Sequence, residues 1–130
     1  MDTNTDTVKA LIEAVESNDK DRILSFFDEE SVFHNIPMAP AVGLGAIWAV
    51  FAQVHDTTTE VEWVVHHIAE TGDGYVLTER TDRYRFAEGW AEFKVMGIFE
   101  VADGKVRRWR DYFDLQQSGE QVTKAMGLGG

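Results

Sequence analysis

The chain contains no cysteine, which excludes disulfides, thiol catalysis and thiolate metal sites. Its two prolines, Pro37 and Pro40, fall close together. Positive charge is scarce: 12 Lys and Arg stand against 23 Asp and Glu, for a net charge of −11. Nucleic-acid binding needs clustered Lys and Arg to displace counterions, so no nucleic-acid partner is expected. The nearest basic cluster, Lys105, Arg107, Arg108 and Arg110, is short, and strand alternation divides it between two faces. No apolar run approaches the roughly 20 residues of a membrane span, so no membrane partner is expected. The first residues, Met1 to Thr7, are polar and carry no apolar signal region, and a soluble cytoplasmic protein is expected. A Gly-rich phosphate loop and a Ser nucleophile elbow are both missing.

What is present is a well-distributed apolar content. Hydrophobic residues make up 44% and aromatics 12% of 130 residues. Apolar side chains run the whole length, so residues 1–130 read as one globular domain with one core and room for an internal cavity.

Val8, Leu11, Ile12 and Val15 recur at helical spacing and define one face of a first helix. Asn18 and Asp19 interrupt it, and either can cap a second helix carrying Ile23, Leu24, Phe26 and Phe27. Ser31 to Asn35 reads as a short strand stopped by the prolines, followed by a loop through Gly43. Leu44, Ile47, Trp48 and Phe51 mark a third helix ending near His55. The pattern then changes to strands: Thr59 to Ile68, Tyr75 to Phe86, Trp90 to Val101 and Val106 to Leu115. Thr71-Gly72-Asp73-Gly74, Glu88-Gly89 and Asp103-Gly104 supply the turns. The tail after Gln116 is polar and Gly-rich, with helix no further than Lys124. Three helices followed by an antiparallel meander make an α+β fold. Strands this long curl when helices cover one face, which predicts a strongly bent sheet closed over a pocket.

Charged residues on strand faces that should be apolar are the informative ones. On Tyr75–Phe86 one face carries Val76, Thr78, Arg80, Asp82, Tyr84 and Phe86, an apolar set apart from Arg80 and Asp82. On the last strand Arg107, Trp109, Asp111, Phe113 and Leu115 share a face, and Asp111 stands among core-seeking residues. Val106, Arg108, Arg110, Tyr112 and Asp114 share the other. One guanidinium can bind two carboxylates through its five donors, so Asp82–Arg80–Asp111 is a candidate buried triad. Two carboxyls around one Arg do not easily both ionise in a dry site. One can then donate a proton while the other takes one, which suits the opening of a strained epoxide by water. The same residues would equally serve as an ion-pair network that only sets strand register.

Tyr84, Phe93, Val95 and Phe113, with Phe33 and Trp109, are candidate walls of a substrate cavity. Trp48, Phe51, Trp63 and Met96 read as core or pocket wall, which the sequence does not decide, with core the better fit. His66 and His67 are neighbours on a strand and should face opposite ways, and His34 and His55 have no evident partners, so no metal site is expected.

Thr78-Glu79-Arg80-Thr81-Asp82 resembles the T-E-R-x-D strand of the limonene-1,2-epoxide hydrolases. Trp109-Arg110-Asp111-Tyr112-Phe113-Asp114-Leu115 resembles their W-R-D-Y-F-D-L end strand, and Phe33-His34-Asn35-Ile36-Pro37-Met38 their Y-x-N-M-P-L segment. Gly43, Gly97-Ile98-Phe99 and Gly104-Lys105 agree as well, and the similarity runs from about Val8 onward. The resemblance implies a cone-like fold of the nuclear-transport-factor-2 type with about three N-terminal helices, a homodimer, and one-step hydrolysis of a small apolar epoxide by water without a cofactor. It implies Asp111 as base, Asp82 as acid, Arg80 between them, and Asn35 as a holder of the nucleophilic water. The family's water-holding Tyr is matched here by Phe33, which has no hydroxyl. Other enzymes of this fold, of ketosteroid-isomerase-like or polyketide-cyclase-like type, and a non-catalytic module for hydrophobic ligands, are the alternatives.

Overall fold

The structure is a computed structural model that describes residues 3–128. Helix α1 spans Asn4–Ser17. Thr3 caps it, accepting from the Asp6 amide at 3.1 Å, while the Asp6 carboxylate accepts from the Thr3 amide. This reciprocal arrangement satisfies two of the donors that a helix start leaves open. The predicted stripe of Val8, Leu11, Ile12 and Val15 is buried along it. The helix stops at Asn18, whose φ of 58° is the left-handed conformation Asn tolerates. Asp19 then caps the short α2 (Lys20–Leu24), accepting from the Arg22 amide at 3.1 Å.

The strands are β1 (Val32–Asn35), β2 (Ala41–Val42), β3 (Glu60–Glu70), β4 (Tyr75–Phe86), β5 (Gly89–Ala102) and β6 (Lys105–Tyr112), with α3 (Leu44–His55) between β2 and β3 and α4 (Leu115–Ala125) at the end. They form one six-stranded sheet in the order β2-β1-β6-β5-β4-β3. The meander β3 to β6 is antiparallel as expected, whereas β1 joins β6 in parallel, so the sheet is mixed. Ala41–Val42, expected as loop, pairs with β1. Asp103 and Gly104 join β5 to β6 with φ of 54° and 73°, the two positive values of a tight hairpin turn.

Two register shifts bend this sheet and reassign side chains. The first falls between Val65 and His67. An extra residue in a strand breaks the alternation, so His66 and His67 both turn outward, His66 to Thr81 at 2.8 Å and His67 to Glu79 at 3.9 Å. The expected opposite facing is corrected. The second falls between Glu100 and Val101, where Val106 pairs with Val101 and Arg108 with Glu100. Arg107 is the extra residue, so Val106 is buried rather than sharing the outer face of Arg108. Met96 also lies on the outer face, 49% exposed, not in the core.

The concave side of the sheet, with α1, α3 and α4, encloses the core. At its centre the indole of Trp109 packs against Phe33 (4.1 Å between ring centroids), Phe99 (4.7 Å), Trp63 (5.8 Å) and Phe51 (6.0 Å). Aromatic residues are the largest contributors of apolar burial in a domain of this size. Among the described residues no helix is long and apolar enough to cross a membrane.

Candidate active site

Strand alternation carries Thr78, Arg80, Asp82 and Tyr84 of β4 to the concave face, and all four are buried. Trp109 and Asp111 of β6 arrive on the same side. Arg80 then links the two strands. Its Nε and Nη2 donate to the two oxygens of Asp82, both at 2.9 Å. Nη2 also donates to Asp111 Oδ2 at 2.8 Å and Nη1 to Asp111 Oδ1 at 3.3 Å. The remaining donor capacity of Nη1 goes to Thr78 Oγ1 at 3.0 Å, and the guanidinium lies 4.6 Å over the Trp63 ring. The Arg80 side chain is 0% exposed and the two carboxylates 4% and 5%. Removing three charges from water is costly unless every donor and acceptor is met, and here each N–H has a partner.

Thr78 and Gly97 had no role in the triad as read from sequence. Gly97 pairs with both Thr78 and Asp111 across β4, β5 and β6. A Cβ at Gly97 would stand 2.5 Å from Asp111 Oδ1 and 2.6 Å from Arg80 Nη1, so Arg80 reaches Asp111 through the space that the missing side chain leaves. The available signal was the lone Gly within a long strand, which marks a close approach.

Burial pushes the Asp82 carboxyl up to about 6, against the charge and hydrogen bonds of Arg80, and the charges of Asp111 and Glu16 add to the rise. Burial works against the Arg80 charge too, but Asp111 and Asp82 outweigh it and hold its pKa above the usual arginine range. Asp111 accepts three hydrogen bonds, two from Arg80 and one from Trp109 Nε1, the last at 2.7 Å to Oδ1.

Above the triad lies a cavity of about 410 Å³. Asp82 and Asp111 are part of its wall, as are Phe33, Asn35, Tyr84, Phe93, Val95 and Phe113. Phe51 and Trp63, read as core or pocket wall, are buried and line it as well. Trp109 does not line it: fully buried, it lies behind Phe33 and supports Asp111 through its indole N–H. Asn35 is the register partner of Asp111 in the parallel β1–β6 pair, which puts the two on one face. Phe33 stacks between Trp109 and Phe51. Burial and then the Asp82 charge raise the Tyr84 phenol well above its ordinary value, so it is a neutral hydroxyl that accepts from Trp63 Nε1 at 3.1 Å. Strand β6 ends at Tyr112, short of the expected Leu115, because Asp114 caps α4 by accepting from the Gln117 amide at 2.9 Å. Leu115, expected inward, is therefore 50% exposed at the cavity's edge.

Residues 2–124 match the family model of the limonene-1,2-epoxide hydrolase catalytic domain. The chain belongs to the limonene-1,2-epoxide hydrolase family. Epoxide hydrolase EphG of Mycobacterium tuberculosis is 32% identical to it over 108 residues, which are 83% of this chain and 71% of that protein. A solved structure of a limonene-epoxide-hydrolase-like epoxide hydrolase from M. tuberculosis superposes with a TM-score of 0.80 at 27% identity, covering 95% of this chain and 92% of that one. A SnoaL-like protein of Shewanella putrefaciens superposes with a TM-score of 0.83 at 13% identity, over 95% of this chain and 98% of its own. The last likeness shows that the limonene-1,2-epoxide hydrolase fold is shared with SnoaL-like proteins. The α+β, cone-like architecture expected of the family is the one described above.

Proposed function

We propose that this chain is a cofactor-independent epoxide hydrolase that adds water to an apolar epoxide in one step to give a vicinal diol. The observation that carries the reading is Arg80 bridging Asp82 and Asp111 at the wall of an otherwise largely apolar cavity. The carboxyl of Asp82, which burial keeps protonated to higher pH, donates its proton to the epoxide oxygen. Asp111, with Asn35 beside it, takes a proton from water as that water attacks a ring carbon and the carbon–oxygen bond breaks. The diol leaves, Asp111 releases the proton it gained and Asp82 regains one, so the charges around Arg80 are restored. Arg80 stays charged throughout and holds both carboxyls in place. Phe33 brings no hydroxyl to the water, so Asp111 and Asn35 carry that task. Family membership also supports a homodimer, which sedimentation would register as twice the chain mass.

A second reading rests on Tyr84. Its buried neutral hydroxyl beside a carboxyl is also what an isomerase or cyclase needs to polarise a carbonyl. Hydrolysis of limonene oxide and cyclohexene oxide in ¹⁸O-labelled water, under single turnover, separates the two. Labelled diol in the first turnover, lost in Asp82→Asn and Asp111→Asn with unchanged circular dichroism, is expected. General acid–base residues are commonly worth about 10² to 10⁴ in rate, so near wild-type turnover in Asp111→Asn would exclude it as the base. Unlabelled first-turnover diol would mean attack by a carboxylate instead of water.

A further inference from the structure

The triad accounts for one side of the cavity. Two other buried polar side chains reach the same cavity from the helices and have no part in epoxide opening. His55 is the last residue of α3, and Ser118 lies in the first half of α4. Both line the cavity that Asp82 and Asp111 line. They are 6% and 2% exposed. Neither nitrogen of His55 nor the Ser118 hydroxyl has a hydrogen-bond partner among the described residues. Buried polar atoms are nearly always paired, and a purely apolar ligand would strand all three.

We propose that this region of the cavity binds an uncharged oxygen group of the substrate, a hydroxyl or a ketone, through His55 and Ser118. The inference rests on the epoxide-hydrolase reading and narrows its substrate class, from bare hydrocarbon epoxides to epoxides oxygenated away from the ring.

The chemistry of the two side chains selects the group. Burial pushes the His55 imidazole below its ordinary value, against the pull of Asp56. A neutral imidazole offers one donor and one acceptor, and a serine hydroxyl offers both. Trp48 and Phe51 flank the ring at 6.1 and 5.9 Å between centroids, which limits how it can turn. A carboxylate is a poor fit: among the described residues no Lys or Arg lines the cavity, and Asp82 and Asp111 do. Size agrees as well. The cavity's 410 Å³ holds roughly fourteen water-sized groups at about 30 Å³ each, so a ten-carbon epoxide bearing one more oxygen nearly fills it.

The test compares limonene oxide with α-terpineol oxide, which has the same skeleton and a hydroxyl remote from the epoxide. In wild type, kcat/KM should favour the hydroxylated epoxide by roughly tenfold, mainly through KM, as two added hydrogen bonds allow. His55→Phe and Ser118→Ala should each bring that ratio toward one. Ser118→Ala removes a single oxygen, so the test survives if His55→Phe does not fold. Dissociation constants are measured in parallel on the non-hydrolysing Asp111→Asn protein. Equal kcat/KM and equal affinity for the two epoxides would overturn the inference while leaving epoxide hydrolysis intact. Hydrolysis of neither, with tighter binding of α-terpineol oxide that Ser118→Ala abolishes, would overturn the hydrolase reading and uphold the polar site. Binding of neither would overturn both.

Discussion

Gly97 and Asp111 are direct partners across β5 and β6, and the space over Gly97 is where Arg80 Nη1 meets Asp111 Oδ1 at 3.3 Å. A methyl group there cannot be absorbed by a flexible chain end, because it would meet the ion pair itself 2.5 to 2.6 Å away. Gly97→Ala is expected to move Arg80 off Asp111 and lower kcat by roughly 10²-fold, as misplacement of about 1 Å does elsewhere. It should also cost about 1–3 kcal/mol of stability by overpacking. Steady-state kinetics and thermal unfolding of the one variant check both. A variant with wild-type kcat would show that the Arg80–Asp111 contact is dispensable.

The proposed mechanism needs the Asp82 carboxyl protonated, and burial raises its pKa to about 6. The rate is therefore expected to fall as pH rises through that value. Asp82 also shapes stability. Its folded pKa lies above the unfolded value of about 3.9, so the folded state holds a proton that the unfolded chain releases. Its contribution is fully present below about pH 4 and lost as pH rises through 6. Two pKa units correspond to about 3 kcal/mol. The difference in unfolding free energy between wild type and Asp82→Asn, followed from pH 4 to 8, should shrink wild type's relative stability by that order. A flat difference would place Asp82 as an ordinary ionised carboxylate.

Phe33, which the family resemblance matches to a water-holding Tyr, sits between Trp109 and Phe51. Phe33→Tyr is expected to raise turnover about fivefold, the worth of one hydrogen bond of about 1 kcal/mol. A lower rate with intact folding would show that the new hydroxyl crowds the cavity, and that water is held by Asp111 and Asn35 alone.

Trp109 supports Asp111 from behind the cavity, with its N–H 2.7 Å from Oδ1. Trp109→Phe keeps an aromatic ring in the cluster and removes that donor. A loss of about 1–3 kcal/mol in stability is expected from the unmet buried carboxylate oxygen, together with an altered pH profile for hydrolysis. An unchanged profile would assign the indole to packing alone.

Much of this was legible in the chain itself. A strand's two-residue period is local, so the alternation over Tyr75–Phe86 places Arg80 and Asp82 on the buried face, and that over β6 does the same for Asp111. The stripe of α1, the stop at Asn18 and the turn at Asp103-Gly104 are local in the same way. Leu115 shows where local reading ends: alternation would carry β6 onward, but the Asp114 cap starts α4 instead.

What tertiary structure decided depends on residues far apart in sequence. The bulge at His66 turns both histidines outward, and the one at Arg107 turns Val106 inward. Both arise from pairing with a neighbouring strand, which a single strand's pattern does not contain. Arg80 and Asp111 are 31 residues apart, and only the order β4-β5-β6 puts Gly97 between them. His55 and Ser118 belong to different helices and line one cavity only because α3 and α4 close over the same concave face. Residue type and period largely determined which side chains would be buried; the pairing of distant strands and helices decided the exceptions, such as Val106, and which side chains would meet.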